Sequence, residues 1–148
     1  MIHSVWARYR ALQQRIRGQR GSVLVVVASS MLALTSVVAL AVDVVLMTTA
    51  RLEAQRAADA AALAGAGAFI GSPGNGTLAR QLASEFAASN TVRSESVAVL
   101  EDDIVIDTDA LTVTVFVHRN RERGNAIPTF FAKAFGVNEV DIAAMATA

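Results

Sequence analysis

From Gly21 to Val42 the chain reads GSVLVVVASSMLALTSVVALAV, 22 residues without a charge. As a helix rising about 1.5 Å per residue, such a run covers the hydrocarbon layer of a bilayer, about 30 Å thick. In lipid an unpaired backbone amide is so costly that the helix is nearly the only state open, whatever valine prefers in water. The hydroxyls of Ser29, Ser30, Thr35 and Ser36 can bond carbonyls of the preceding turn. Asp43 marks the far edge of the span. A cleaved secretory signal, cut after Ala39-Leu40-Ala41, is the main alternative; the run is longer than the usual apolar core of a signal, and the helical pattern continues past that site. A buried soluble helix would show a polar face, and this run has none.

Beyond Asp43 no proline interrupts the pattern, which predicts one helix from about Ser22 to about Phe69. Its second half is amphipathic, and Ala57, Ala61 and Gly65 recur every fourth residue. Small residues at that spacing allow close approach of a sheet of the same chain or a helix of a neighbour, and a plain alanine-driven helix reads the same way. The turn-rich Gly71 to Gly76 ends the helix. Thr77 is the expected N-cap of a short helix whose Leu78, Leu82 and Phe86 should face inward. From Glu95 the period becomes two. Val97 and Val99, then Ile104 and Ile106, then Leu111, Val113, Val115 and Val117 predict a three-stranded antiparallel meander, with His118 at a solvated strand end. Pro128 should open a short helix ended by Gly136, with Phe130, Phe131 and Phe135 plugging the open end of the sheet or, less simply, meeting a partner. The tail from Val137 alternates enough for a last strand. The fold class is therefore α+β, a long N-terminal transmembrane helix continuing into a small antiparallel sheet domain. It divides into a basic leader (1–21), a helix with an extracytoplasmic extension (22–69) and an extracytoplasmic α+β domain (70–148).

Charge changes this picture only when split by position. Arg8, Arg10, Arg15, Arg17 and Arg20 stand alone before Gly21, giving +5 there and −5 in the rest of a chain that is neutral overall. Arginines flanking a span stay in the cytoplasm, so the N-terminus is expected inside and the remainder outside. Nucleic acid would want basic charge on the folded part, so none is expected as partner. The chain lacks cysteine and has two histidines, His3 and His118, which removes thiolate chemistry and any multi-histidine metal site. The acidic groups at Glu101 to Asp103 and Asp107 to Asp109 lack the glycine and the trailing glutamate of a calcium loop and read as hairpin turns. There is no Ser/His/acid constellation and no phosphate-cradling loop. Neither an enzyme nor a cofactor is expected.

Three blocks, Arg20-Gly21 at the opening of the span, ALAVD at Ala39 to Asp43 and LEAQRAADAAALAGA at Leu52 to Ala66, resemble the N-terminal membrane motif of TadE/TadG-like proteins of the tight-adherence (Flp) pilus apparatus. PTFFAKAFGV at Pro128 to Val137 and the closing ATA are similar to the C-terminal part of shorter members. The resemblance implies a pilin-like shape and a minor-pilin or pseudopilin role at the bacterial inner membrane, in adherence or secretion, alongside other pilins, pseudopilins or pilus-assembly proteins. It also implies prepilin-type cleavage between Gly21 and Ser22 by a prepilin peptidase. Related prepilins carry a glutamate five residues past the glycine, where this chain has Val26. The alternative function is a membrane-anchored periplasmic binding module. Bulky substitutions at Ala57, Ala61 or Gly65 should harm an assembly role, and changes at Phe130, Phe131 or Phe135 a binding one.

Overall fold

The computed structural model describes the backbone from His3 to the C-terminus and side chains from Gly21 onward. The leader arginines named above fall outside the described side chains. Helix α1 (His3–Gly71) is followed by α2 (Gly76–Ala88), β1 (Thr91–Val92), β2 (Glu95–Ser96), β3 (Ile104–Asp107), β4 (Thr112–Arg119), β5 (Ile127–Pro128), β6 (Glu139–Val140) and β7 (Ile142–Thr147). The class is α+β, and α1 is the one helix among the described residues long and apolar enough to cross a membrane. The chain divides into two compact units, Met1–Ala41 and Val42–Ala148.

In the first unit the described side chains are exposed, apart from the half-buried Ala39. The hydroxyls of Ser29, Ser30, Thr35 and Ser36 donate to the carbonyls of Val25, Val26, Met31 and Leu32 at 2.7 to 2.8 Å. Every one of these polar groups is satisfied within its own helix, as insertion into lipid requires.

The second unit is built on an alanine seam. Ala50, Ala54, Ala57, Ala58, Ala61, Ala62 and Ala68 of α1 are buried, with Phe69 closing the row. They share a core with Ala79, Ala83 and Ala87 of α2 and with Val113, Val115 and Val117 of β4. Gly65 is the point of closest approach: a Cβ there would lie 2.9 Å from Val113 Cγ1, 3.1 Å from the Ala79 carbonyl oxygen and 3.2 Å from Ala83 Cβ. Of the two arrangements open to the small-residue stripe, the chain uses the internal one. Of the residues expected to face inward, Leu78 and Leu82 do pack against the core, partly buried, and Phe86 does not. The alanine face of α2 meets α1, the two leucines flank the core, and Phe86 is exposed. Two alanine faces permit a close helix approach that leucines would hold apart. The cap also moves from Thr77 to Asn75, whose side-chain oxygen accepts the Leu78 amide at 3.1 Å.

The sheet has three antiparallel strands in the order β3-β4-β7. Ile104 pairs with Val115 on one side of β4, and Val117 with Ala144 on the other. Its third member is thus the C-terminal strand, and the Val97 to Val99 run expected in a meander stays outside. The reason is local. Arg93 and Ser94 hold positive φ angles of 53° and 66° in the tight β1–β2 hairpin, although neither is glycine. The Arg93 amide donates to Glu53 on α1 at 2.7 Å, which holds the turn in place. A 3-10 turn at Glu101–Asp103 then separates Val97 and Val99 from β3.

Asp103, buried in that turn, is the second fixed point of the unit. Its carboxylate accepts two bonds from the Arg123 guanidinium, 2.6 and 2.8 Å, and one from the Leu100 amide. His118 stands 3.8 Å away and stacks on Phe116, half-buried rather than solvated. Burial pushes the Asp103 carboxyl up, but the Arg123 and Leu100 bonds outweigh it and hold the group below the usual carboxylate range.

Gly65→Ala should destabilise the unit by about 1 to 3 kcal/mol through overpacking. Gly67→Ala, whose added methyl meets nothing within 4 Å, should stabilise it by about 0.5 to 1 kcal/mol. Thermal unfolding of the two variants in detergent micelles should therefore move in opposite directions, and a Gly65→Ala protein as stable as the parent would contradict the packing described.

Candidate functional site: a buried carboxylate at the end of the apolar run

The uncharged run ends at Val42, and the next side chain is almost fully buried: Asp43 is 1% exposed. It lies seven residues before Ala50, on the same face of α1 as the alanine seam. One carboxylate oxygen accepts the Phe130 amide at 2.9 Å. The other accepts those of Phe131 at 2.9 Å and Ala132 at 2.6 Å. These amides open the 3-10 turn Ala132–Phe135, and amides at the start of a helical turn have no intrahelical partner. Asp43 therefore does from a distant helix what a local cap does in sequence.

The turn sits at the tip of a hairpin. β5 and β6 pair as Ile127 with Val140 and Pro128 with Glu139. Between them the Thr129 amide bonds the Asn138 carbonyl, and the buried Thr129 hydroxyl donates to the Val137 carbonyl. Gly136 reverses the chain with φ 84°, a conformation that favours glycine. Pro128 thus belongs to a strand rather than to the first turn of a helix, which is a correction to the sequence reading; Gly136 ends the turn as expected.

The tip exposes its aromatic rings. Phe130 is 60% exposed, Phe131 48% and Phe135 74%, with Lys133 and Val137 also exposed. They do not plug the end of the sheet, because the three amides that Asp43 binds turn the backbone inward and the rings outward. Ala132 alone packs inward from this turn. The other residues singled out from sequence fall elsewhere: Gly21 and Ser22 are exposed, and Ala57, Ala61 and Gly65 are buried in the helix seam. Sequence reasoning placed Asp43 only as an edge marker. The contact that binds it spans 87 to 89 residues of chain, and no short-range pattern reports that.

Burial pushes the Asp43 carboxyl up, and the amides of Phe130, Ala132 and Phe131 more than offset this, leaving it below its ordinary value. A folded-state pKa below the unfolded one contributes stability above the unfolded value, about 3.9, and loses it as pH falls through the folded value. Asp43 and Asp103 act in the same sense. The unfolding midpoint of the second unit should be flat from about pH 7 to 5 and drop below about pH 4, with a shallower acid drop in Asp43→Asn. In Asp43→Ala, hydrogen exchange at the amides of residues 130 to 132 should accelerate roughly tenfold or more while the β4–β7 amides stay protected. Unchanged exchange at those three positions would remove the carboxylate from its capping role.

Residues 21–68 match a family model described as "Putative Flp pilus-assembly TadE/G-like". No curated protein and no solved structure matches the chain. The matched segment holds the apolar run, Asp43 and the alanine seam as far as Ala68, while α2, the sheet and the hairpin that receives Asp43 lie beyond it. Over residues 21–68 the chain carries a segment similar to the TadE/G-like family.

Proposed function

We propose that this protein is a non-enzymatic, single-pass component of Flp pilus assembly at the bacterial inner membrane, of the minor-pilin or pseudopilin kind. One observation carries the reading: the uncharged Gly21–Val42 run, preceded by five arginines, opens the segment that matches a pilus-assembly family. The arginines favour a cytoplasmic N-terminus and an extracytoplasmic C-terminal unit. Exposed Gly21, the last residue of the basic leader, and Ser22 after it suit cleavage by a prepilin peptidase. Because Ala57, Ala61 and Gly65 are used within the chain, packing against other pilins falls to the exposed face of Gly21–Val42. Those three positions therefore report folding before they report assembly.

The exposed phenylalanines favour the second reading, a membrane-anchored module whose hairpin tip binds another protein. The two differ in their crosslinks. With photo-reactive residues at Leu32 or Leu34, the assembly reading expects adducts to pilus-assembly proteins through the span; the module reading expects them only from positions 130 to 135.

Deletion of the gene should abolish or strongly reduce surface pili, and the full chain should restore them. Alkaline phosphatase fused after Ala148 should be active, and the mature protein should begin at Ser22 by mass. A piliated deletion strain would overturn the assembly role, an inactive fusion the orientation, and an intact leader the peptidase as partner.

A further inference from the structure

The hairpin tip carries exposed aromatic surface, and its place in the molecule identifies what covers it. Asp43 follows the last residue of the uncharged run directly, so at about 1.5 Å per residue it stands one step beyond that run. A run of 22 residues covers about 33 Å, slightly more than the hydrocarbon layer, and a headgroup layer of roughly 5 to 7 Å lies on either side of that layer. The backbone amides of Phe130, Phe131 and Ala132 are within 2.9 Å of the Asp43 carboxylate. The tip is therefore held at the level of the headgroups by a contact that does not depend on how the span is tilted.

The residues exposed there have the chemistry of that layer. Phe130, Phe131, Phe135 and Val137 supply apolar surface, and the exposed Lys133 among them supplies a cation on a flexible stem that can reach lipid phosphate. Apolar rings at the headgroup and acyl boundary, with a basic residue beside them, are how interfacial segments bind membranes.

We propose that the Phe130–Phe135 tip is a second membrane anchor, inserted into the outer face of the bilayer that α1 crosses, with Asp43 setting its depth. The inference rests on Gly21–Val42 being a bilayer span and is independent of the pilus role.

The test uses the full chain in vesicles of phosphatidylethanolamine and phosphatidylglycerol, with Trp6→Phe as background so that one introduced tryptophan reports. Phe130→Trp and Phe135→Trp should be quenched by lipids brominated near the headgroup. Leu32→Trp should be quenched by lipids brominated deep in the chain. Ile70→Trp, exposed on α1 and about 40 Å beyond Asp43 along the helix, should not be quenched. Adding Asp43→Ala should remove most of the quenching at position 135 and leave that at position 32 unchanged. If position 32 is quenched and position 135 behaves like position 70, the anchor is wrong while the span stands; if position 32 is unquenched, the span itself fails and the anchor with it. Shielding of position 135 that vanishes when the protein is diluted in lipid would assign the tip to a second copy of the chain and overturn the proposal. Quenching that survives loss of the Asp43 carboxylate would overturn its role in setting depth.

Discussion

An anion that leaves water must find donors, and Asp43 finds three of them in main-chain amides that themselves need an acceptor. Each side solves the other's problem. The carboxylate is almost fully buried with both oxygens bonded, and the first amides of the 3-10 turn are satisfied without a local cap. This closure joins residue 43 to residues 130 to 132, so it ties the start of the second unit to a hairpin near its end. The base of the hairpin is held by the buried Ile127 and by Arg121 on Glu139, and Thr129 holds the tip to that base; at the tip itself the long-range contact is the carboxylate. Where the tip sits, and which way its rings point, follows from the carboxylate.

The rest of the unit depends on how small the side chains of α1 are. Alanines from Ala50 to Ala68, with Gly65 among them, let α2 and β4 approach so closely that Gly65 has no room for a methyl group. Alanine faces bury little apolar area each, so the unit relies on many close contacts rather than on a few large side chains. Asp103 with Arg123 then fixes the loop after β4 to the turn before β3. Such a core tolerates little enlargement on the seam and is indifferent to change on the opposite face, where Leu63, Gly67 and Ile70 are open.

The long-period features were legible in the sequence. An uncharged run of lipid-spanning length, an alanine-rich continuation and a switch to alternation after Glu95 carry their periodicity in consecutive residues, and α1, β3, β4 and β7 follow from them. Three features were not legible, each for a physical reason. The β1–β2 turn uses Arg93 and Ser94 at positive φ, held by Glu53 from another element, so no Asn-Gly signal announces it. The inward face of α2 is its alanines, because what decides the face is the partner's shape rather than the helix's own hydrophobicity. The outward phenylalanines contradict the rule that large apolar residues go inside, and the cause sits far away in sequence at Asp43.

That separation has a further consequence for how the contact is written in the chain. A carboxylate that binds main-chain amides asks for one side chain at position 43 and asks nothing of the side chains at 130 to 132, since any residue but proline supplies the donor. Asp43 lies inside the segment that matches the pilus-assembly family, and the turn that receives it lies outside. The two halves of one contact therefore carry unequal sequence signals. The half on α1 must be an acid at the end of an apolar run, a rare combination that reads clearly. The half on the hairpin need only present three free amides, and its exposed side chains take no part in the contact.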